Sequence, residues 1–280
     1  MASTTTNLAE YMCYVVASLR DIESQKPDGI IKDPYAQILA GDIGAKFNLT
    51  HGFKYESKDV NLANPEDYMA IRTRYLDEEI DRRDPAIKQV VILAAGLDAR
   101  AYRLESLKDC AVIEIDQSKE LLDRKVEVLA EADAKVIAKS YHGIAADLTQ
   151  DSWADIVLAQ TEFDPKVPTF WCIEGLLGYI DGESITRLVA KIDELSAPGS
   201  IMWADMNCEA VTREAVMSGR SLKYGEDDPL NGVMGSKGWK LTMQADLGLE
   251  GDHFGRHWTP MTLAATGELI PYYLVLAHKP

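Results

Sequence analysis

The chain has 280 residues, of which 46% are hydrophobic, so it is long enough to bury a full core in one or two domains. Its net charge of −16 argues against broad binding to nucleic acids or anionic membranes, because clustered Lys and Arg side chains supply most of that binding. No run approaches the roughly 18 apolar residues of a membrane-spanning helix, and the N-terminus lacks a signal-peptide pattern, so we expect a cytoplasmic protein.

The first 85 residues predict helices and loops. Apolar residues recur at three- and four-residue steps after Asn7, and Asp or Asn followed by Pro starts two further helices. The pattern places these helices at residues 7–25, 33–41 and 64–84, with a polar loop or lid at 48–61. Helices therefore precede the first strand.

From Val90 onward, strands and helices alternate, which is typical of a mostly parallel sheet. The predicted strands are residues 90–93, 111–115, 141–146, 169–173, 200–205, 239–246 and 272–278. The predicted helices are residues 118–132, 152–160, 185–195 and 210–225. The four cysteines, Cys13, Cys110, Cys172 and Cys208, show no zinc spacing, so we expect reduced thiols and predict no metal site.

Two matched signals around the first of these strands indicate a cofactor site. The apolar run Val90–Leu93 leads directly into the small residues Ala94, Ala95 and Gly96. About twenty positions later, the second strand ends in Asp116, where nucleotide-binding α/β folds place a ribose-binding carboxylate. The sequence therefore predicts an adenosine-containing cofactor.

The loop after the first strand favours S-adenosyl-L-methionine over a nicotinamide dinucleotide. Ala94 replaces the first glycine of the dinucleotide pattern, and Asp98 would repel a pyrophosphate. S-adenosyl-L-methionine has no phosphate and carries a sulfonium and an ammonium, which nearby carboxylates tolerate or assist. Two alternatives remain open: an NAD(P)-dependent oxidoreductase, and a loop whose residues are small only because a helix packs close to the strand.

Several local sequences together resemble the leucine carboxyl methyltransferase family. They are Ile71–Asp77, Leu93–Leu104, Glu114–Gln117, Asp147–Leu148 with Trp153, Phe163–Pro165 and Glu174–Ile180. Shorter matches at Asp33–Tyr35, Gly238–Trp239 and Phe254–Arg256 extend the resemblance over nearly the whole chain. The resemblance is closer to the microbial branch that methylates polyketides and other small molecules than to the protein phosphatase methyltransferases.

The resemblance implies a Rossmann-like class I methyltransferase with a seven-stranded, mostly parallel sheet and an antiparallel last strand. Residues 1–85 would form a helical N-terminal cover within the same domain, and residues 86–280 the core, with a substrate-pocket insert around 207–238. The implied activity is transfer of a methyl group from S-adenosyl-L-methionine to a carboxylate or hydroxyl oxygen of a small molecule. Methylation of a protein C-terminal carboxylate and a fold without catalysis remain alternatives.

The resemblance also implies which residues bind the cofactor. They are Arg72 at its carboxylate, Ala94 and Gly96 beneath its amino-acid part, Asp116 at the ribose with the adjacent Gln117, Asp147 and Leu148 at the adenine, and Glu174 near the ammonium. Arg20 is a looser candidate for a second basic contact. The family usually has glycine at the position of Ala94, which here adds a methyl group where the backbone approaches the ligand.

Some of these residues also have purely structural interpretations. Arg72 could pair with Asp67 or Asp77 on a helix surface, and Asp147 could cap the next helix. Glu174 is harder to explain in this way, because a carboxylate directly after a buried strand needs a partner.

No general base is assigned from the sequence. His142, His253 and His257 are conceivable bases, but a lone histidine in a polar loop is more often simply solvated. Arg256 could attract an acidic substrate or form a structural ion pair, and neither interpretation is favoured.

Overall fold

Seven strands form the central sheet of the computed structural model, which describes residues 8–45, 60–62, 65–213 and 222–280. The described residues contain eleven strands in all, which are β1 (Val60–Asn61), β2 (Gln89–Leu93), β3 (Ala111–Asp116), β4 (Ser140–Ala145), β5 (Thr169–Ile173), β6 (Ile201–Asn207), β7 (Lys240–Asp246), β8 (Gly251–His253), β9 (Arg256–Trp258), β10 (Thr262–Leu263) and β11 (Tyr272–His278). The α-helices are α1 (Leu8–Gln25), α2 (Ala36–Ala45), α3 (Pro65–Arg82), α4 (Arg100–Arg103), α5 (Lys119–Glu131), α6 (Ser152–Gln160) and α7 (Gly182–Glu194).

The sheet has the strand order β4-β3-β2-β5-β6-β11-β7. Strands β2 to β6 pair in parallel, whereas β11 runs antiparallel to both of its neighbours, β6 and β7. This arrangement confirms the expected seven-stranded, mostly parallel sheet with an antiparallel last strand. Because β2, β3, β5 and β6 are parallel, their carboxyl ends meet at one edge, where ligands of open α/β sheets bind.

Helices cover both faces of the sheet. Along β2, the side chains of Val91 and Leu93 join one hydrophobic cluster with α6 and α7, and Val90 and Ile92 join the other. This alternation follows from the two-residue period of a strand. The second cluster includes residues of α1, α2 and α3, so the N-terminal helices pack on that face.

Most predicted elements of the core agree with the structure to within one to three residues, but one helix prediction needs correction. The expected helix end at Gly41 is confirmed, because Gly41 has a non-helical φ of 53° and ψ of −154°; a further helical segment follows this kink and extends α2 to Ala45. The predicted helix 210–225 is wrong for its described residues, since Glu209–Thr212 is a single 3₁₀ turn and residues 222–225 are not helical. In this segment, Val211 and Leu222 line the cavity described below.

Parts of three other predictions lie outside the described residues. These are the caps Asn7 and Asn64 and most of the 48–61 loop. At the end of that loop, β1 pairs with β10 in a two-stranded sheet that was not predicted, and neither was the β8–β9 hairpin. Within the described part of the chain, no helix is long and apolar enough to cross a membrane.

Candidate cofactor site

A cavity of about 930 Å³ opens at the carboxyl ends of the parallel strands. Its volume is at the upper end of the range of typical ligand pockets. All eight predicted cofactor residues line it, namely Arg72, Ala94, Gly96, Asp116, Gln117, Asp147, Leu148 and Glu174. Four separate strand ends and α3 thus bring together residues that lie up to about a hundred positions apart in the chain.

The loop after β2 turns sharply beneath this cavity. Ala94 and Gly96 both have left-handed backbone conformations, with φ values of 54° and 48°. A Cβ atom on Gly96 would lie 2.7 Å from Sγ of Cys13, so glycine is required there by space as well as by conformation. At Ala94 the left-handed φ explains why a glycine suits this position, because an L-residue is strained in that region.

Asp116 joins the ends of β2 and β3. One carboxylate oxygen accepts a hydrogen bond from the Gly96 N–H at 2.9 Å, and the other accepts from the Ser118 N–H at 2.9 Å. Ser118 in turn caps α5 by accepting from the Leu121 N–H at 3.2 Å. Asp116 therefore fixes the loop against the start of α5, while Gln117 lies exposed at the cavity edge.

Asp147 and Leu148 form the wall after β4. The exposed Asp147 side chain accepts from the backbone N–H and the hydroxyl of Thr149, at 2.9 and 2.7 Å. This bond closes a turn, and α6 begins only at Ser152, so the helix-cap interpretation of Asp147 is wrong. The neighbouring Leu148 is buried and presents an apolar surface to the cavity.

Arg72 of α3 is buried and lines the cavity. It is 7% exposed, and its Nε donates to Oε1 of Glu174 at 3.0 Å while its Nη1 donates to Oδ2 of Asp205 at 3.1 Å. It has no bond to Asp67 or Asp77, so the surface-pair interpretation is wrong.

Glu174 has two arginine partners. Besides Arg72, Nη1 of Arg100 donates to its Oε2 at 2.8 Å. Burial alone would raise the pKa of Glu174, but the positive charges of Arg100 and Arg72 outweigh it and lower the pKa to about 2. Glu174 is therefore an ionised, fixed acceptor at neutral pH.

A network of buried charges, which was not predicted, surrounds this pair. Arg100 also contacts Asp98, and its Nε donates to Asp77 at 2.7 Å. Arg103 binds the same Asp77 at 2.6 Å, and Arg20 of α1 bonds the Leu97 carbonyl at 2.8 Å. Arg20 also lines the cavity, and its bond to Leu97 links α1 to the β2 loop. Because Arg100 matches the charge of Asp98, the expectation that Asp98 itself would repel a pyrophosphate is wrong.

Asp205, at the end of β6, is a second buried carboxylate that sequence analysis missed. It accepts from the Gly175 N–H at 2.7 Å and from the Tyr272 hydroxyl, and both Asp205 and Tyr272 line the cavity. Burial raises the pKa of Asp205. Only the antiparallel pairing of β6 with β11, in which Asp205 faces Leu274, brings these residues together, so no local motif indicates them.

None of the three candidate histidines lines the cavity. His142 pairs with Glu162, the Nδ1 of His253 bonds the Tyr75 hydroxyl at 2.9 Å, and His257 lies 3.2 Å from Glu250. Arg256 is also outside the cavity, where its Nη2 lies 2.9 Å from the buried Glu23. The structural interpretation of Arg256 is therefore confirmed.

The charge of the cavity wall identifies the kind of cofactor that fits. Seven carboxylates and three basic side chains line the cavity among the described residues, and Arg100 pairs with two of the carboxylates from outside it, which leaves an excess of three negative charges. The carboxylates are Glu10, Asp98, Asp116, Glu120, Asp147, Glu174 and Asp205, and the basic residues are Arg20, Arg72 and Lys223. Such a wall suits a ligand with a sulfonium and an ammonium and opposes a pyrophosphate.

Relatives of known sequence support the same cofactor. Residues 13–193 match the leucine carboxyl methyltransferase family. A protein from Mycolicibacterium gilvum (strain PYR-GCK) is 34% identical over 255 residues, covering 82% of both chains. One from Rhodococcus jostii (strain RHA1) is 36% identical over 219 residues, covering 78% of this chain and 72% of the relative. Both have the provisional name S-adenosyl-L-methionine-dependent methyltransferase.

Solved structures share the fold at low sequence identity. A crystal structure assigned provisionally as a methyltransferase, from Thermobifida fusca, has a TM-score of 0.57 at 14% identity and covers 96% of this chain and 94% of its own. The N-methyltransferase NodS from Bradyrhizobium japonicum, in complex with S-adenosyl-L-homocysteine, has a TM-score of 0.50 at 12% identity, covering 86% and 94%. The family match favours the methyltransferase over the nicotinamide oxidoreductase. The chain therefore belongs to the leucine carboxyl methyltransferase family, and it is an S-adenosyl-L-methionine-dependent methyltransferase.

Proposed function

We propose that this enzyme methylates a carboxylate or hydroxyl oxygen of a small, largely apolar molecule. The observation that carries the proposal is the composition of the part of the cavity wall that α3, the loop after β5 and residues 207–270 supply. Many of its side chains are apolar, and Asn207 and Lys223 are among its polar groups. The apolar residues are Tyr68, Met69, Leu176, Leu177, Ile180, Val211, Leu222, Met261 and Ile270.

These lining residues also support the proposed domain organisation. Tyr68 and Met69 belong to α3 of the N-terminal cover, and Val211 and Leu222 belong to the proposed insert at 207–238. The cover and the insert thus supply the wall where an acceptor would bind, whereas the strand ends supply the cofactor wall. Pocket specificity in such an arrangement depends on the cover and the insert.

The cofactor residues are proposed to act by position and charge. S-adenosyl-L-methionine supplies an activated methyl group on a sulfonium. Arg72 would hold its carboxylate, Glu174 its ammonium and Asp116 its ribose, while Leu148 would contact the adenine. The protein's main contribution is then to hold the acceptor oxygen in line with the methyl group and to exclude water.

The acceptor chemistry follows from the available bases. Among the described residues that line the cavity there is no histidine, and Asp205 is already engaged by Arg72, Tyr272 and the Gly175 N–H. A carboxylic acid is ionised at neutral pH and needs no base, whereas a phenol with a pKa of about 10 benefits from one. An apolar carboxylic acid is therefore the first acceptor class to test.

The test is a methyl-transfer screen with S-adenosyl-L-methionine labelled in the methyl group. Candidate acceptors are apolar carboxylic acids, phenols, amines and a peptide with a C-terminal leucine, and products are identified by mass spectrometry. We expect a methyl ester or ether of a small molecule, which Glu174→Gln should abolish. Methylation of the peptide alone, or of amines alone, would contradict the proposal.

A further inference from the structure

Arg100 contacts Glu174 from outside the cavity. Arg100 is 1% exposed and does not line the cavity, yet its Nη1 donates to Oε2 of Glu174 at 2.8 Å. Its Nε donates to Asp77 at 2.7 Å, and it also pairs with Asp98. The guanidinium is therefore fixed by carboxylates from α3 and the β2 loop, so it cannot follow a ligand that enters the cavity.

Arg72 differs in this respect because it lines the cavity, where a ligand can compete with Glu174 and Asp205 for its guanidinium. Its Nε and Nη1 are bonded to Glu174 and Asp205. A cofactor carboxylate that binds Arg72, either at Nη2 or in place of one of these bonds, would draw part of its positive charge away from Glu174 and Asp205. Arg100 binds the other oxygen of Glu174, so its contact survives the exchange.

We propose that Arg100 is a positioning residue that keeps Glu174 ionised and oriented toward the cofactor's ammonium group while Arg72 engages the cofactor's carboxylate. The inference rests on the cofactor roles proposed above for Glu174 and Arg72. It does not depend on which molecule accepts the methyl group.

The charges around Glu174 explain why a second arginine is needed. Positive groups lie near it on three helices: Arg20 of α1, Arg72 of α3 and Arg100 of α4. The carboxylates around these arginines are Asp77 of α3, Asp98 of the β2 loop and Asp205 of β6, which is bonded to Tyr272 of β11. Burial favours the neutral carboxyl group, which cannot balance an ammonium. Once Arg72 is shared with the ligand, the direct contact with Arg100 opposes that protonation.

The test is calorimetric titration of S-adenosyl-L-homocysteine between about pH 5 and pH 8. The variants are Arg100→Gln, Arg100→Lys and the matched control Arg103→Gln. Arg103 lies on the same helix and binds Asp77, but has no bond to Glu174. A second ligand, 5′-methylthioadenosine, has no ammonium or carboxylate and reports on the adenosine part of the site alone.

For Arg100→Gln we expect a roughly ten- to hundredfold weaker affinity for S-adenosyl-L-homocysteine, the effect of one charge-assisted bond. The loss should grow as the pH falls, because Glu174 then protonates more readily. The wild type and Arg103→Gln should keep a flat pH profile, and Arg100→Lys should restore the flat profile at intermediate affinity. Affinity for 5′-methylthioadenosine should be unchanged.

Two results would overturn the inference. One is equal weakening of both ligands by Arg100→Gln, which would indicate a general structural defect. The other is a pH profile of Arg103→Gln or Arg100→Lys that matches that of Arg100→Gln. If Arg100→Gln fails to fold, the affinities of Arg100→Lys and Arg103→Gln for S-adenosyl-L-homocysteine are compared instead. A flat pH profile with unchanged affinity in Arg100→Lys would then refute the role of Arg100. Failure of the acceptor screen leaves these binding results unaffected.

Discussion

Replacing Ala94 with glycine should stabilise the enzyme. Ala94 has a φ of 54°, a conformation that costs an L-residue roughly 1–2 kcal/mol and glycine almost nothing. Glycine loses about 0.5–1 kcal/mol more conformational entropy on folding than alanine. The partly buried methyl group of Ala94 packs against the core, so its loss offsets part of this gain. The net gain in the free energy of unfolding is therefore at most about 0.5–1 kcal/mol, which corresponds to a rise in Tm of up to about 4 °C for a domain of this size.

The adjacent Ala95 provides the matched control. It lies outside the left-handed region and is 7% exposed, so glycine there removes a buried methyl group without relieving any strain. Ala95→Gly should lower the free energy of unfolding by about 1 kcal/mol or more. Both variants are measured by urea unfolding and by differential scanning calorimetry, without ligand and with S-adenosyl-L-homocysteine.

The opposite signs of the two substitutions are the decisive result. If Ala94→Gly destabilises the protein as much as Ala95→Gly does, the backbone at Ala94 is not strained. If Ala94→Gly stabilises the protein and also binds S-adenosyl-L-homocysteine more tightly, the methyl group of Ala94 hinders the ligand as well. The two readouts separate an effect on the fold from an effect on the site.

Three further predictions concern the acidic residues of the site. Glu174→Gln should lower the free energy of unfolding at pH 7 by about 3–5 kcal/mol, as measured in urea, because it breaks the buried ion pairs of Glu174 with Arg72 and Arg100. Since folding lowers the pKa of Glu174 from 4.5 to about 2, this difference should be complete above pH 5 and shrink as the pH falls toward 2; a constant difference would refute the assignment. A hundredfold excess of S-adenosyl-L-homocysteine over its Kd should stabilise the wild type by about 2.7 kcal/mol in thermal unfolding. Asp116→Ala should lose this gain, whereas Asp147→Ala should largely keep it, because the Asp147 side chain is exposed.

Local patterns predicted the central strands well. β5 spans Thr169–Ile173 as expected, and β2 extends the predicted 90–93 by one residue. Both are short apolar runs buried along their whole length, and such runs are visible in the sequence alone. The helix end at Gly41 was also predicted, because glycine commonly terminates helices, whereas the further helical segment up to Ala45 was not.

Long-range ion pairs could not be predicted in the same way. Glu174 lies 102 positions from Arg72 and 74 positions from Arg100 in the chain. A surface pair of Arg72 with Asp67 or Asp77, each five positions away, was an alternative interpretation, but α3 turns that face toward the strand ends. Burial of the helix face decides the partner, and burial depends on packing that involves the whole chain.

The choice of cofactor illustrates how a conclusion can hold although one of its reasons fails. Ala94 in place of the first glycine and the charge of Asp98 both favoured this cofactor in the sequence, yet Arg100 neutralises Asp98 within the loop. The structure supplies a stronger reason, since the described lining residues keep an excess of three negative charges even when Arg100 is counted, distributed over the ends of several strands. A pyrophosphate would meet this excess along its whole length, whereas a sulfonium and an ammonium gain from it. Removing one carboxylate therefore cannot convert the site to a dinucleotide site, and selectivity for the cationic cofactor is a property of the whole wall.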